Sequence, residues 1–458
     1  MKKKIIDSNH IEAILQDAAV PTVEAVSLVL DRAKALGGLA LEDVGLLIHA
    51  GQDAKLRRQI FDAAREVKLK CFGKRIVLFA PLYLTNDCIN NCLYCGFRRD
   101  NPDAIRHTLS IEEAVNEAAA LEKLGFNRIL LVAGESPKNS NVDRIKEIVG
   151  AIYENTGIRI LHVNAAPMPD TDLKKLKKAG VGVFQVFQEA YHEATYREMH
   201  PAGPKKDYEK RLAALDGAIP AGFDDVGIGT LLGLYDWRFE VLAIVNHARH
   251  LHEKFGAWPH TISAPRLQPA TGSPLTAPPY PVSDEDFKLI VAIYRLAVPP
   301  AGIVVTTREP AALRDELIDI GVSQVSAGSR TDPGGYSEKG ERFDASQFRT
   351  SDHRSLEEMI AYITSTGNLP SLCTSCYRTG RTGKEFTQRV SHEEMERYCL
   401  PNSLLTLQEY IIDHANGSAD ACEDLIRKNL ADIKDKKLRA ATEKKLAQIN
   451  TGERDLYF

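Results

Sequence analysis

The sequence predicts a closed parallel (β/α)8 barrel with helical extensions at both ends. Eight short β-rich apolar runs recur along about 250 residues, as many strands as a complete barrel needs. Helical patterns lie between them, and several end in Gly, a helix C-cap signal. An open doubly wound sheet usually has fewer strands and a Gly-rich first turn, and no G-x-G-x-x-G occurs here. The pattern therefore favours a TIM-type barrel.

Residues 10–70 come first and read as helices. TVEAVSLVLDRAKAL, LEDVGLLIHAG and DAKLRRQIFDAAREVKLK place apolar residues three and four apart. The strand-like runs follow: RIVLFAPLYL (75–84), RILLVAG (128–134), IRILHVNAA (158–166) and VGVFQVFQEA (181–190). DDVGIGTLLGL (224–234), HTISAPRLQP (260–269), GIVVTTREP (302–310) and VSQVSAGSR (322–330) complete the set. Residues 349–458 leave this rhythm and read as helical, with a charged run from Glu423 to Gln448 that predicts a solvated helix face. Three units are expected: an N-terminal helical extension (1–72), the barrel (73–348) and a C-terminal helical domain (349–458).

Composition excludes several function classes. The 458 residues are 44% hydrophobic and 26% charged, a soluble globular balance. The formal net charge is −4 with Lys and Arg dispersed, so nucleic acid is not an expected partner. No apolar run approaches the roughly 20 residues that span a bilayer. Asp7, His10 and Glu12 interrupt any signal-peptide core in MKKKIIDSNHIEAIL, so a cytoplasmic protein without membrane attachment is expected.

The cysteines carry the chemistry. Six of the eight form two triplets, a pattern that means metal more often than disulfide in a reducing compartment. Cys88, Cys92 and Cys95 are spaced C-x3-C-x2-C directly after the first strand, at the end of a barrel where active sites collect. Cys373, Cys376 and Cys399 form C-x2-C-x22-C in the C-terminal segment. Thiolates suit zinc or iron–sulfur centres. Three of them hold three irons of a 4Fe-4S cube and leave the fourth open. A closed zinc site is the alternative, completed by His107 in the first case and by His392 or His353 in the second. Spacing leaves both open.

C-x3-C-x2-C with Tyr94 before the last cysteine resembles the signature of the radical S-adenosylmethionine (SAM) enzymes. That resemblance implies a TIM-type radical SAM barrel, a first 4Fe-4S cluster on Cys88, Cys92 and Cys95, and SAM on its open iron. Ala133-Gly134-Glu135 then matches the segment contacting the methionine amine. Gln188 or Glu189, in FQEAYH, resembles the polar group near the ribose or amine, and Arg211 resembles an arginine pairing with the SAM carboxylate.

With the second triplet, LFAPLYLTNDCINNCLYCGF, FQEAYHEATYREMHPAGPK, DDVGIGTLLGLYDWRFEVL, SAGSRTDPGGY and CTSCYRTGRTG resemble the tyrosine lyase family of FeFe-hydrogenase maturation. The family implies a deoxyadenosyl radical that takes hydrogen from the amine of L-tyrosine. Cα–Cβ cleavage releases p-cresol and dehydroglycine, and dehydroglycine yields CO and cyanide at a second 4Fe-4S cluster on Cys373, Cys376 and Cys399. An additional iron there, held through a cysteine ligand and by His260, becomes an Fe–CO–CN unit for the hydrogenase maturation machinery. Electrons come from a low-potential donor. Tyr83 resembles a position contacting the amino acid, and Arg330 is placed to pair with its carboxylate. The related 2-iminoacetate synthase, which stops at dehydroglycine, and a non-catalytic zinc scaffold are the alternatives.

Overall fold

Eight parallel strands close into a barrel in the computed structural model, which describes residues 4–17, 21–337, 346–392, 396–415 and 417–458. They are β1 (Arg75–Thr85), β2 (Arg128–Ala133), β3 (Ile160–Asn164), β4 (Val181–Gln185), β5 (Asp225–Gly229), β6 (Thr261–Ser263), β7 (Gly302–Val305) and β8 (Gln324–Ser326). Each lies within, or one residue beyond, its predicted run. Neighbours in sequence pair in parallel, with a register shift in β1–β2 and in β3–β4, and β1 closes the ring by pairing with both β8 and β2. Helices fill the crossovers and are bounded by local chemistry. Ser110 and Glu113 form a capping box on the helix Ile111–Lys123. Gly256, at φ +73°, ends Trp237–Phe255 in the left-handed conformation that glycine adopts without strain.

β1 is the longest strand and organises the molecule. Its side chains alternate with period two. Ile76, Leu78, Ala80, Leu82 and Leu84 are buried in the core. Phe79, Pro81 and Tyr83 instead line an internal cavity of about 190 Å³. Much of the remaining inner lining is polar, including Asn164, Gln185, Thr261, Ser263, Thr306 and Ser326. The barrel is therefore hollow, with a mixed polar and apolar lining, whereas such barrels are usually filled by branched apolar layers.

The C-terminal segment departs from expectation. It is not wholly helical: Leu369–Ser371 forms a ninth strand, β9, paired in parallel with Arg75–Val77 at the start of β1. Eight-strand closure uses the later part of β1, so the early residues project below the ring and accept this extra strand. Further contacts fasten the segment to the barrel floor. Asp225 Oδ1 accepts from Gly383 N at 2.9 Å, and Thr387 Oγ1 accepts from Trp258 N at 3.3 Å. The N-terminal helices Ser8–Gln16, Val23–Lys34, Leu41–Ala50 and Ala54–Phe72 pack outside; Lys68 Nζ, buried, donates to Ile318 O at 2.6 Å. Among the described residues, no helix is long and apolar enough to cross a membrane.

Candidate active site

The loop following β1 carries Cys88, Cys92 and Cys95, and all three line the mouth of the cavity. Asn90 organises it. Its Nδ2 donates to Glu135 Oε2 at 2.6 Å and reaches Cys88 Sγ at 3.7 Å, while its Oδ1 accepts from Lys205 N at 2.8 Å. Ile89 N donates to Glu135 O at 2.9 Å, tying the loop to the end of β2. Gly134 makes this approach feasible, since a Cβ there would meet Asp87 O at 2.4 Å.

Charged side chains ring the cavity beside these cysteines. Glu189 has φ +71°, rare for a non-glycine residue, and pairs with Lys205 Nζ at 2.8 Å. Burial works to raise its carboxyl, but Lys205 and Arg211 outweigh it and hold the group below the usual carboxylate range. Arg211 donates from Nε to Phe187 O at 2.7 Å. Arg308, after β7, lies over the Phe348 ring at 3.3 Å, and burial lowers its guanidinium against the pull of Tyr83, Glu189 and Cys95. Tyr83 donates to Gln347 Oε1 at 2.9 Å and meets Phe97 edge-on at 5.7 Å.

Gly134, Glu135, Glu189, Arg211, Tyr83 and His260 all line this cavity; two sequence-predicted residues do not. Gln188 is turned toward Tyr208 O, 3.5 Å away, because it immediately precedes the inward-facing Glu189. Arg330 sits between Ser329 and Thr331, which both face the cavity, and its own side chain packs against Gly335 instead. Arg308, after β7, lines the cavity. Sequence reasoning passed over Arg308 and Lys205, although strand-end position after β7 was a signal for the former.

The second triplet lies at the opposite end of β1. Cys373 follows β9, Cys376 is on the helix Ser375–Arg378, and Cys399 is on the helix Glu396–His414. Ser375 Oγ is 3.2 Å from Cys373 Sγ, and Arg128 donates to Cys373 O. Arg75, at the start of β1, faces all three thiols electrostatically. Cys373, Cys376 and Arg75 line a lower cavity of about 30 Å³. Arg128, His260, Gln324 and Tyr377 belong to the walls of both cavities. There, Tyr377 Oη is 2.8 Å from His260 Nε2. Asp225 Oδ2 is 3.1 Å from Nδ1, close but out of line for a hydrogen bond.

The donor sets fit soft metal centres. Burial, then the neighbouring cysteines, push the Cys95 thiol up to about 12, and burial takes Cys399 to about 12 against Arg75. Such thiols ionise when a metal binds. The zinc closures find no support from His107, which faces Glu113 at 3.7 Å, or from His392 and His353, which are both exposed. Among the described residues, no three Cys, His, Asp or Glu side chains converge on a single-ion site. A cluster needs its sulfurs spread wider than a single ion does.

Residues 82–246 match the radical SAM superfamily, and residues 263–368 match the biotin and thiamin synthesis associated domain, which crosses the boundary expected at 348. The 2-iminoacetate synthase of Escherichia coli K12 is 32% identical over 343 residues, covering 74% of this chain and 89% of its own. A crystal structure of HydG, a maturase of the FeFe-hydrogenase, is 42% identical and covers 100% of both chains with a TM-score of 0.96. The chain belongs to the HydG family. A second HydG, from Carboxydothermus hydrogenoformans, is 40% identical over 96% of this chain, with a TM-score of 0.84. HydG likeness thus covers the whole chain, the second triplet included, whereas the 2-iminoacetate synthase match covers 74% of it. HydG proteins are radical SAM enzymes, a superfamily that uses a 4Fe-4S cluster and SAM, and the superfamily segment contains Cys88, Cys92 and Cys95.

Proposed function

We propose that this chain cleaves L-tyrosine between Cα and Cβ at the upper triplet and processes the released fragment at the lower one, for FeFe-hydrogenase maturation. The observation that carries this reading is the single hollow barrel with a cysteine triplet at each end of β1. Its ten intervals span about 33 Å at about 3.3 Å each. When bound, the cluster and SAM on Cys88, Cys92 and Cys95 supply a hydrogen-abstracting radical from a low-potential electron.

The chain's own residues do the rest. Gly134 and Glu135 shape the wall for the methionine end of SAM, Arg211 meets its carboxylate, and Glu189 is held by Lys205 for its polar contacts. Arg308 pairs with the tyrosine carboxylate, and Tyr83 and Phe97 provide an aromatic wall for the ring. p-Cresol leaves as one product. The other, dehydroglycine, HN=CH–COOH, has the composition of CO, HCN and water, so no oxidant is needed for its breakdown. The wall that the two cavities share supports transfer past Arg128, His260 and Tyr377 to the second cluster on Cys373, Cys376 and Cys399. An additional iron, with a cysteine ligand and His260, is the cargo that receives CO and cyanide.

The 2-iminoacetate synthase reading stops at dehydroglycine and gives the lower triplet no role. The anaerobically reconstituted protein, given SAM, reductant and tyrosine, is assayed for p-cresol by chromatography and for CO by a haem trap. Both products are expected. p-Cresol without CO from a fully loaded protein supports the shorter reaction, and no p-cresol overturns the tyrosine assignment.

A further inference from the structure

The turn bearing Glu189 is held by a carboxyl on another element. Glu240, on the helix Trp237–Phe255, is 1% exposed. Its two oxygens accept from Tyr191 N at 3.0 and 2.8 Å, and Oε1 accepts from His192 N at 3.1 Å. No cation pairs with it among the described residues. Thr230 Oγ1 lies 2.8 Å from Glu240 Oε2 and also 2.7 Å from Glu189 O.

Counting protons decides the ionisation. A threonine hydroxyl has one proton. Glu189 O, a carbonyl, can only accept, and so can an ionised Glu240. With Glu240 ionised, one of these two short oxygen–oxygen contacts has no proton. With a proton on Oε2, Glu240 donates to Thr230, and Thr230 donates to Glu189 O. Every contact is then a hydrogen bond.

We propose that Glu240 is a positioning residue that acts as a neutral carboxylic acid: through Thr230 on one side and the Tyr191 and His192 amides on the other, it clamps Glu189 in its left-handed conformation. A non-glycine residue in that conformation is strained and needs its surroundings to hold it. The clamp, together with Leu231 N donating to Glu189 O at 2.7 Å, maintains that geometry and keeps the carboxylate on Lys205. The surroundings agree: burial raises the Glu240 carboxyl to about 7 against the amide and Thr230 hydrogen bonds. The titratable groups facing it are Tyr191 and His192 on the turn, Tyr208, Tyr235, Tyr294 on Asp284–Ala297, and Asp236 at the cap of its own helix. None is a permanent cation.

This inference rests on the reading of Glu189 as a SAM contact, and the test separates the two. Infrared difference spectra of wild type minus Glu240→Gln, recorded at pH 6 on the full chain, report the proton directly. A protonated-carboxyl stretch is expected, and its absence overturns the neutral clamp. SAM affinity of the cluster-loaded protein is then measured by calorimetry. Glu240→Gln keeps a donor toward Thr230 and is expected to bind near the wild-type value, whereas Glu240→Ala weakens binding roughly tenfold, the scale of one buried hydrogen-bonded contact. Wild-type affinity in a folded Glu240→Ala overturns the positioning role. Glu189→Gln runs alongside: if it binds SAM like wild type, the Glu189 contact fails while the infrared band still decides the clamp.

Discussion

Tyr377 Oη lies 2.8 Å from His260 Nε2, where the upper and lower cavities share their walls. One ring nitrogen of the histidine proposed to hold the extra iron is thus engaged by a tyrosine hydroxyl, while the other, Nδ1, has no hydrogen-bond partner. An iron bound through Nε2 requires Tyr377 to release His260.

His260→Gln is therefore expected to lose the extra iron while p-cresol formation stays within about twofold, because the histidine stands on the wall shared with the lower cavity and touches none of Cys88, Cys92 and Cys95. Tyr377→Phe removes the competing hydroxyl and should retain that iron. Metal analysis beside product chromatography checks both. Loss of p-cresol in His260→Gln would place the histidine in the cleavage step instead.

Arg330 was expected to meet the substrate carboxylate, but of it and Arg308 only Arg308 lines the cavity. Arg308→Ala should lose about 1.5–3 kcal/mol, or roughly ten- to a hundredfold in kcat/KM for tyrosine. Arg330→Ala should change it by only a few-fold. Steady-state p-cresol kinetics of the two variants give the comparison, and the reverse ranking would return the role to Arg330.

The pair Glu189–Lys205 sets an acid limit. Its folded carboxyl lies below the usual range, so the stability it contributes is present above the unfolded pKa, near 4.5, and is lost as pH falls through the folded value. Lys205→Met leaves a largely buried carboxylate unpaired, a loss of about 3–5 kcal/mol at neutral pH. Glu189→Gln should recover part of this in the double variant. Denaturant unfolding at pH 3 and pH 7 tests it, and an additive double variant at pH 7 would contradict the pairing.

Gly134→Ala is expected to displace the cysteine loop, since the new Cβ meets backbone at Asp87 O and backbone cannot swing aside. Iron content after reconstitution should fall, while the lower triplet remains able to load. Full iron content in this variant would mean the loop is free to shift.

Most of the barrel was legible because its strands are β-rich runs between capped helices. β9 was not: it is three residues long, contains Pro370, and exists only because β1 extends below the ring. The cysteine triplets were visible from spacing alone. Side-chain direction in the loops was not, since Ser329, Arg330 and Thr331 follow no strand or helix period until the fold sets one. Glu189 faces the cavity through a positive φ that no local pattern announces. Lys205 becomes a site residue only when its loop folds back across Asn90.

The most direct test of two sites joined by one barrel uses Cys376→Ala/Cys399→Ala. With the upper cluster loaded and tyrosine, SAM and reductant supplied, this variant is assayed for p-cresol and for CO in the same reaction. The two-site account predicts p-cresol at the wild-type rate with CO abolished. CO at the wild-type level would contradict it and place the whole reaction at the upper triplet.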